Sequence, residues 1–126
     1  MTGFGYDLAT AADSLYNNLG IDCTGGDYTG SATNADNNGS SDATALGTTV
    51  FTNLTASSLF KNTTAGSEDI HLLDTATIKD AGASVPVSYD GEGTTRPQGS
   101  AIDIGADEVA VASAGGVKRY RKRITQ

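Results

Sequence analysis

The sequence lacks most of the residues by which small proteins are usually cross-linked or densely packed. It contains one cysteine, one methionine, one histidine and no tryptophan. The single Cys23 excludes an intrachain disulfide and a cysteine-based metal site. Eight leucines are too few for the repeating apolar faces of a helical bundle. No apolar run approaches the roughly 20 residues that a membrane-spanning helix needs, so we predict no membrane partner.

Small polar residues and glycine take the place of large apolar ones. The 126 residues include 17 threonines, 16 glycines, 12 aspartates, 11 serines and 7 asparagines, whereas hydrophobic residues make up 37%. Val, Ile, Phe and Tyr occur in short groups between turn residues, a pattern typical of a β protein with many turns. The length fits one domain, which we predict to span residues 1–112.

Charge is distributed unevenly along the chain. The net charge of −7 combines −12 in residues 1–117 with +5 in the last nine residues. We call residues 113–126 the basic arm. An acidic body with such an arm predicts an anionic partner, which is nucleic acid, an acidic protein face or a neighbouring copy. The alternative is a solvated, frayed chain end. The candidate partner-binding residues are Lys118, Arg119, Tyr120, Arg121, Lys122 and Arg123.

Residues 6–20 allow two interpretations. Leucines and alanines at three- and four-residue spacing describe a short helix that Gly20 ends. Alternatively, residues 14–16 and 20–23 are two short strands separated by a turn at Asn17-Asn18. The asparagine pair and the β-rich remainder of the chain favour the strands.

Residues 24–49 are the least hydrophobic stretch, and their Gly, Asn and Ser pairs predict a long polar loop or excursion from the domain. Disorder is the competing interpretation. Short strand candidates then follow at intervals of about ten residues, typical of a sandwich, a barrel or a solenoid. No clean internal repeat is visible. The strand candidates are residues 49–51, 59–60, 70–73, 78, 85–87 and 101–104; in the last, alternation predicts that Ile102 and Ile104 share one face and Asp103 faces away.

Several short elements follow one another in fixed order over residues 59–108. They are Leu59-Phe60, Gly66 through Leu72, Ile78 through Gly82, Asp90-Gly91, Arg96 through Gly99 and Asp103 through Glu108. This order resembles the C-terminal segment of right-handed parallel β-helix (pectate-lyase-like) proteins of bacterial surface and phage-encoded type. The resemblance implies an all-β fold, either a short right-handed parallel β-helix (β-solenoid) or a β-domain derived from its closing coils.

The chain departs from this resemblance at two places. The proline usual in the family is absent from residues 76–82. Residues 88–93 stand where the family often has an Asp-x-Asp-Gly run, so the resemblance gives little support to a calcium site there. We expect no cofactor and no metal site, and calcium bound by Asp-rich turns is the alternative.

The resemblance also implies a function. Catalytic acids and bases of such enzymes lie on the central coils, so a closing segment is expected to be non-catalytic and structural. The setting is then a phage virion component (capsid decoration, fibre or spike), with a virion or extracellular location. Its partners would be further copies or neighbouring virion proteins. The alternative is the C-terminal part of an extracellular polysaccharide lyase or hydrolase, or a glycan-binding β-helix protein. The chain begins without the basic and apolar regions of a signal peptide.

Arg96 is the only arginine outside the basic arm. Pairing of its guanidinium group with Asp90, Asp103 or Asp107 would fix the last turn of the domain. We therefore assign structural roles to Arg96, Asp103 and Asp107. His71, the only histidine, lies in a strand pattern and is expected to be structural rather than a general base.

Overall fold

The structure is a computed structural model that describes residues 5–8 and 14–111. These residues are almost all β or irregular, with one short helix, so the all-β expectation is confirmed. The basic arm lies outside the described residues. The elements are β1 (Tyr6–Leu8), β2 (Ser14–Tyr16), β3 (Leu19–Gly20), β4 (Tyr28–Gly30), β5 (Asn34–Asp36), β6 (Asn38–Ser40), β7 (Val50–Phe51), α1 (Ala56–Leu59), β8 (Phe60–Asn62) and β9 (Asp69–Leu72).

The first six strands pair in parallel at a nearly constant distance along the chain. β1 pairs with β4, β2 with β5 and β3 with β6. Tyr6 lies opposite Tyr28, which is 22 positions later, and Leu15 lies opposite Ala35, which is 20 positions later. We call β1–β3 the first rung and β4–β6 the second rung. β7 adds to the other side of β6, again in parallel.

The prediction of a long polar loop at residues 24–49 is wrong, because β4, β5 and β6 all lie within this range. Many of its side chains make hydrogen bonds to main-chain groups instead of filling an apolar core, so no hydrophobic alternation marks these strands. Asp27, for example, is fully buried and accepts hydrogen bonds from the main-chain N–H groups of Cys23 (3.1 Å) and Ser41 (2.5 Å).

Strands rather than a helix form in the described part of residues 6–20. Asn17 has a φ of 59°, which turns the chain between β2 and β3 and is a conformation that asparagine tolerates well. Asn37, 20 positions later, has a φ of 50° at the same corner of the second rung. The Asn-Asn pairs at 17–18 and 37–38 thus mark the same corner of successive rungs, 20 residues apart.

Side chains stack between the rungs with the same period. The rings of Tyr6 and Tyr28 lie parallel within 13°, with centroids 4.9 Å apart. Asn38 is fully buried, and its Nδ2 donates to the carbonyls of Leu15 and Leu46, both at 2.8 Å. Its Oδ1 accepts the N–H of Asn18 at 2.9 Å. Because all these polar atoms are paired, an amide side chain is stable inside the domain.

Beyond β7 the chain leaves the parallel arrangement. α1 leads into β8, which pairs antiparallel with β9. The four sheets of the described residues are small and mixed in direction, and residues 5–8 and 14–111 form no closed β-helix. The same residues include no helix with the length and apolarity needed to cross a membrane.

Residues 73–111 contain turns and irregular segments rather than the strands predicted at 78, 85–87 and 101–104. Four of the six core residues nevertheless come from this segment. No strand forms at residues 101–104, and Ile102, Asp103 and Ile104 are all buried, so Asp103 does not face solvent. The core cluster consists of Leu59, Leu72, Ala76, Ile78, Ile104 and Val109.

Replacing Asn38 tests how much the stacking of the rungs depends on this side chain. Asn38→Ala should lower the free energy of unfolding by about 2–4 kcal/mol, because it removes four hydrogen bonds from a buried site. Asn34→Ala, at an exposed position of β5, is the control and should change it by less than about 0.5 kcal/mol. Urea denaturation measures both, and equal effects would contradict the role of Asn38.

Candidate functional site

The guanidinium group of Arg96 is buried within the C-terminal segment. Its Nη2 donates to the carbonyls of Gly105 (3.0 Å) and Asp107 (2.8 Å). Its Nε lies 3.4 Å from Glu108 Oε2, and the two side chains are only 6% and 1% exposed. This Nε has no hydrogen-bond partner among the described residues, so its contact with Glu108 is purely electrostatic.

The acid beside Arg96 is not one of those predicted. Glu108 forms the ion pair, whereas Asp107 contributes only its carbonyl oxygen to the guanidinium group. Asp103 and Asp90 interact with main-chain N–H groups instead. Glu108 stands next to Asp107 in the sequence, and in a segment without regular structure nothing in the spacing says which neighbour points inward.

Main-chain N–H groups from distant segments surround the buried carboxylates. Asp103 accepts the N–H groups of Asp80 (2.6 Å) and Val109 (2.7 Å). Glu108 accepts those of Gln98 (2.8 Å) and Asp103 (3.0 Å). Each carboxylate therefore joins two stretches of chain that share no sheet.

Asp90 extends this network to the turn that follows it. Burial raises its pKa, but hydrogen bonds from the N–H groups of Thr94 (2.7 Å) and Glu92 (2.9 Å) more than offset burial. The pKa of Asp90 is therefore below its ordinary value. The ionised carboxylate also accepts the N–H of Glu108 at 3.2 Å, so it fixes the turn against the buried segment.

A second cluster lies where β9 meets this turn. His71 Nδ1 is 2.5 Å from Asp69 Oδ1, and His71 Nε2 is 2.9 Å from Glu92 Oε2. One carboxylate oxygen of Asp107 lies within 4.8 Å of a ring nitrogen of His71 and of a carboxylate oxygen of Glu92. Asp107 Oδ2 also accepts the N–H of Leu72 at 2.7 Å. His71 was expected to be structural, and Glu92 was not singled out.

The two neighbouring carboxylates raise the pKa of His71 to about 9, through the hydrogen bond to Asp69 first and the one to Glu92 second. The ordinary value is 6.5. Because the pKa is higher in the folded chain, the charged imidazole stabilises the fold fully below about pH 6.5. This contribution is lost as the pH rises through about 9.

Cavities of about 610 Å³ and about 520 Å³ open on the two sides of this cluster. His71, Leu72, Glu92 and Asp107 line both of them. Aromatic and aliphatic side chains, including Tyr6, line the larger cavity, whereas charged groups such as Lys61 line the smaller one. The imidazole nitrogen and the carboxylate oxygens are thus accessible to small solutes.

The outer edge of the first rung is the third feature. The N–H of Tyr6 donates to the carbonyl of Asp27 at 2.9 Å, so the N–H of Asp7 points away from the second rung. The same alternation directs the N–H groups of Ser14 and Tyr16 outward. Within residues 5–8 and 14–111, no strand pairs with this edge.

Replacing Arg96 tests whether the buried ion pair stabilises the C-terminal segment. Arg96→Ala should lower the free energy of unfolding by about 3–5 kcal/mol and lower the melting temperature, because Glu108 then stays buried without a counter-charge. Lys79→Ala is the control, since Lys79 and the exposed Asp74 are 3.9 Å apart and such pairs contribute little. An unchanged melting temperature in Arg96→Ala would contradict the structural role.

Comparison of the chain with protein-family models, with curated proteins and with solved structures found no match. The resemblance of residues 59–108 to the end of parallel β-helix proteins therefore rests on the sequence elements themselves. The six candidate partner-binding residues, Lys118 to Arg123, lie outside the described residues, so their role remains a prediction.

Proposed function

We propose that the chain is a non-catalytic structural protein: a β-domain derived from the closing coils of a parallel β-helix. It assembles with further copies of itself through the outer edge of its first rung. The setting suggested by the resemblance is a phage virion, in which the domain serves as a capsid decoration, fibre or spike component. The observation that carries the proposal is the outer edge formed by β1, β2 and β3, with which no strand of the described residues pairs.

Two features support the β-helical part of the proposal. Three successive strands of one rung pair in parallel with three successive strands of the next, as coils of a solenoid do. Equivalent side chains also stack from rung to rung, as Tyr6 and Tyr28 do. The closing coils would then correspond to residues 59–108, where the sequence elements of the resemblance lie.

The open edge supports assembly. Outward N–H and carbonyl groups are a template for strands of another chain, and proteins rarely leave such an edge uncovered. Added strands would give hydrogen-bond partners to Asp7, Ser14 and Tyr16. Charge favours a second copy as the partner, because the +5 of the last nine residues is opposite in sign to the −12 of the body.

Light scattering coupled to size-exclusion chromatography tests assembly through this edge. The full chain should elute as an oligomer of defined size. Asp7→Pro should shift it toward the monomer, because proline removes an outward N–H while the bonds between β1 and β4 remain. Asp7→Ala keeps the N–H and should leave the oligomer intact, and circular dichroism confirms that both variants fold.

Three results would contradict the proposal. A monomeric wild-type chain that binds acidic polysaccharide would favour the glycan-binding alternative. Equal oligomer content in Asp7→Pro and Asp7→Ala would exclude the first rung as the interface. Binding of the chain to nucleic acid with an affinity that falls steeply with salt would assign the basic arm to nucleic acid rather than to a neighbouring copy.

A further inference from the structure

We propose that His71, Glu92 and Asp107 bind one divalent transition-metal ion of the zinc class, with Asp69 as a positioning residue. This site goes beyond the structural function, and it differs from the calcium ion that Asp-rich turns suggested. It uses His71 Nε2 and one carboxylate oxygen each from Glu92 and Asp107.

The three residues bring one donor atom each to the same place, within 4.8 Å of one another. Zinc binds nitrogen and oxygen donors at about 2.0–2.2 Å, usually in a tetrahedron, so two donors on one ion lie about 3.3–3.6 Å apart. The donors that are farthest apart therefore move closer together when an ion binds. His71 Nε2 and Glu92 Oε2 are 2.9 Å apart, so the largest separation involves Asp107. Rotation of the Asp107 side chain and of the Glu92 side chain, which is 66% exposed, would bring the donors around one ion.

The contact between Asp69 and His71 is the second, independent observation. Histidine ligands usually donate their other ring N–H to a carboxylate, which fixes the tautomer and the orientation of the ring. Asp69 Oδ1 is placed in this way, 2.5 Å from His71 Nδ1. The main-chain N–H of His71 also donates to Asp69 Oδ1 at 3.1 Å, so the carboxylate cannot easily turn away. Nε2 is thereby directed at Glu92 and Asp107.

Two hydrogen bonds fix the position of Asp107. One of its oxygens accepts the N–H of Leu72, and its carbonyl accepts a hydrogen bond from the buried Arg96. The ligands therefore come from β9, from the turn after Asp90 and from the segment that Arg96 holds. An ion at this point would connect all three. The cavities on both sides leave space for water or a small solute as the fourth ligand.

The donor set selects the class of ion. Calcium prefers six to eight oxygen donors, whereas an imidazole nitrogen with two carboxylates suits zinc and its first-row neighbours. Cys23 is the only thiol of the chain and is not part of the cluster. Zinc bound at this cluster is therefore held by nitrogen and oxygen atoms and not by a thiol.

Isothermal titration calorimetry of the untagged, chelator-treated full chain with zinc chloride tests the site. The wild-type chain should bind one zinc ion per chain, and zinc should raise its melting temperature. His71→Asn should abolish both effects. Asp69→Asn should weaken binding by roughly 10–100-fold, as outer partners of metal ligands do.

Three further variants make the result specific. Glu92→Gln changes an exposed side chain and should weaken zinc binding without loss of fold, so a folding failure of His71→Asn leaves the test intact. Asp74→Asn and Cys23→Ser should bind zinc as the wild type does. The proposal is overturned if zinc neither binds nor stabilises the wild-type chain, if His71→Asn binds it equally well, or if calcium binds in place of zinc.

Discussion

Hydrogen bonds from main-chain N–H groups to buried side-chain oxygens are the interaction on which this structure depends. The chain has few large apolar residues, and its buried apolar cluster is formed by α1, β9 and the C-terminal segment, with Leu19 and Phe51 packed against it. Elsewhere buried polar side chains join segments that are distant in sequence. Asp27, Asn38, Asp103 and Glu108 are all at most 3% exposed, and each accepts at least one main-chain N–H. Burial of an oxygen that has hydrogen-bond partners costs little folding free energy, whereas loss of one partner destabilises the fold substantially.

The same interaction connects the two halves of the domain. Asn17 donates to the carbonyl of Ala83 and accepts the N–H of the same residue, while Asn37 donates to the carbonyl of Ala81. Two equivalent corners of successive rungs thus bind one stretch of the C-terminal segment. That segment in turn contains Arg96, which positions the main chain at Asp107. The rungs, the buried ion pair and the His71 cluster are therefore parts of one hydrogen-bonded network.

Sequence reasoning predicted the features that depend on composition and on apolar pattern. The all-β class follows from the turn-rich composition, and β7 and β9 coincide with apolar groups at 49–51 and 70–73. β4, β5 and β6 were missed because their residues are mostly small and polar and make hydrogen bonds, so apolar and polar residues do not alternate along these strands. The signal that would have revealed them is the recurrence of Asn-Asn after 20 residues.

Part of the candidate sites was also predictable from the sequence and part was not. The buried state of Arg96 was predictable, because a lone arginine in an acidic body needs a counter-charge. Its partner Glu108 was not, since irregular segments carry no periodicity that assigns a face to each residue. The meeting of His71 with Glu92 and Asp107 joins residues up to 36 positions apart through turns, and no local pattern encodes that approach.

Amide hydrogen exchange followed by NMR tests the central role of the buried oxygens most directly. The N–H groups of Asp80 and Val109 lie outside every strand, yet they donate to the buried carboxylate of Asp103. They should exchange as slowly as the N–H of Gly39, which lies in β6 and donates to the carbonyl of Asn18. Exchange of Asp80 and Val109 as fast as that of the exposed Gly93 would contradict the account.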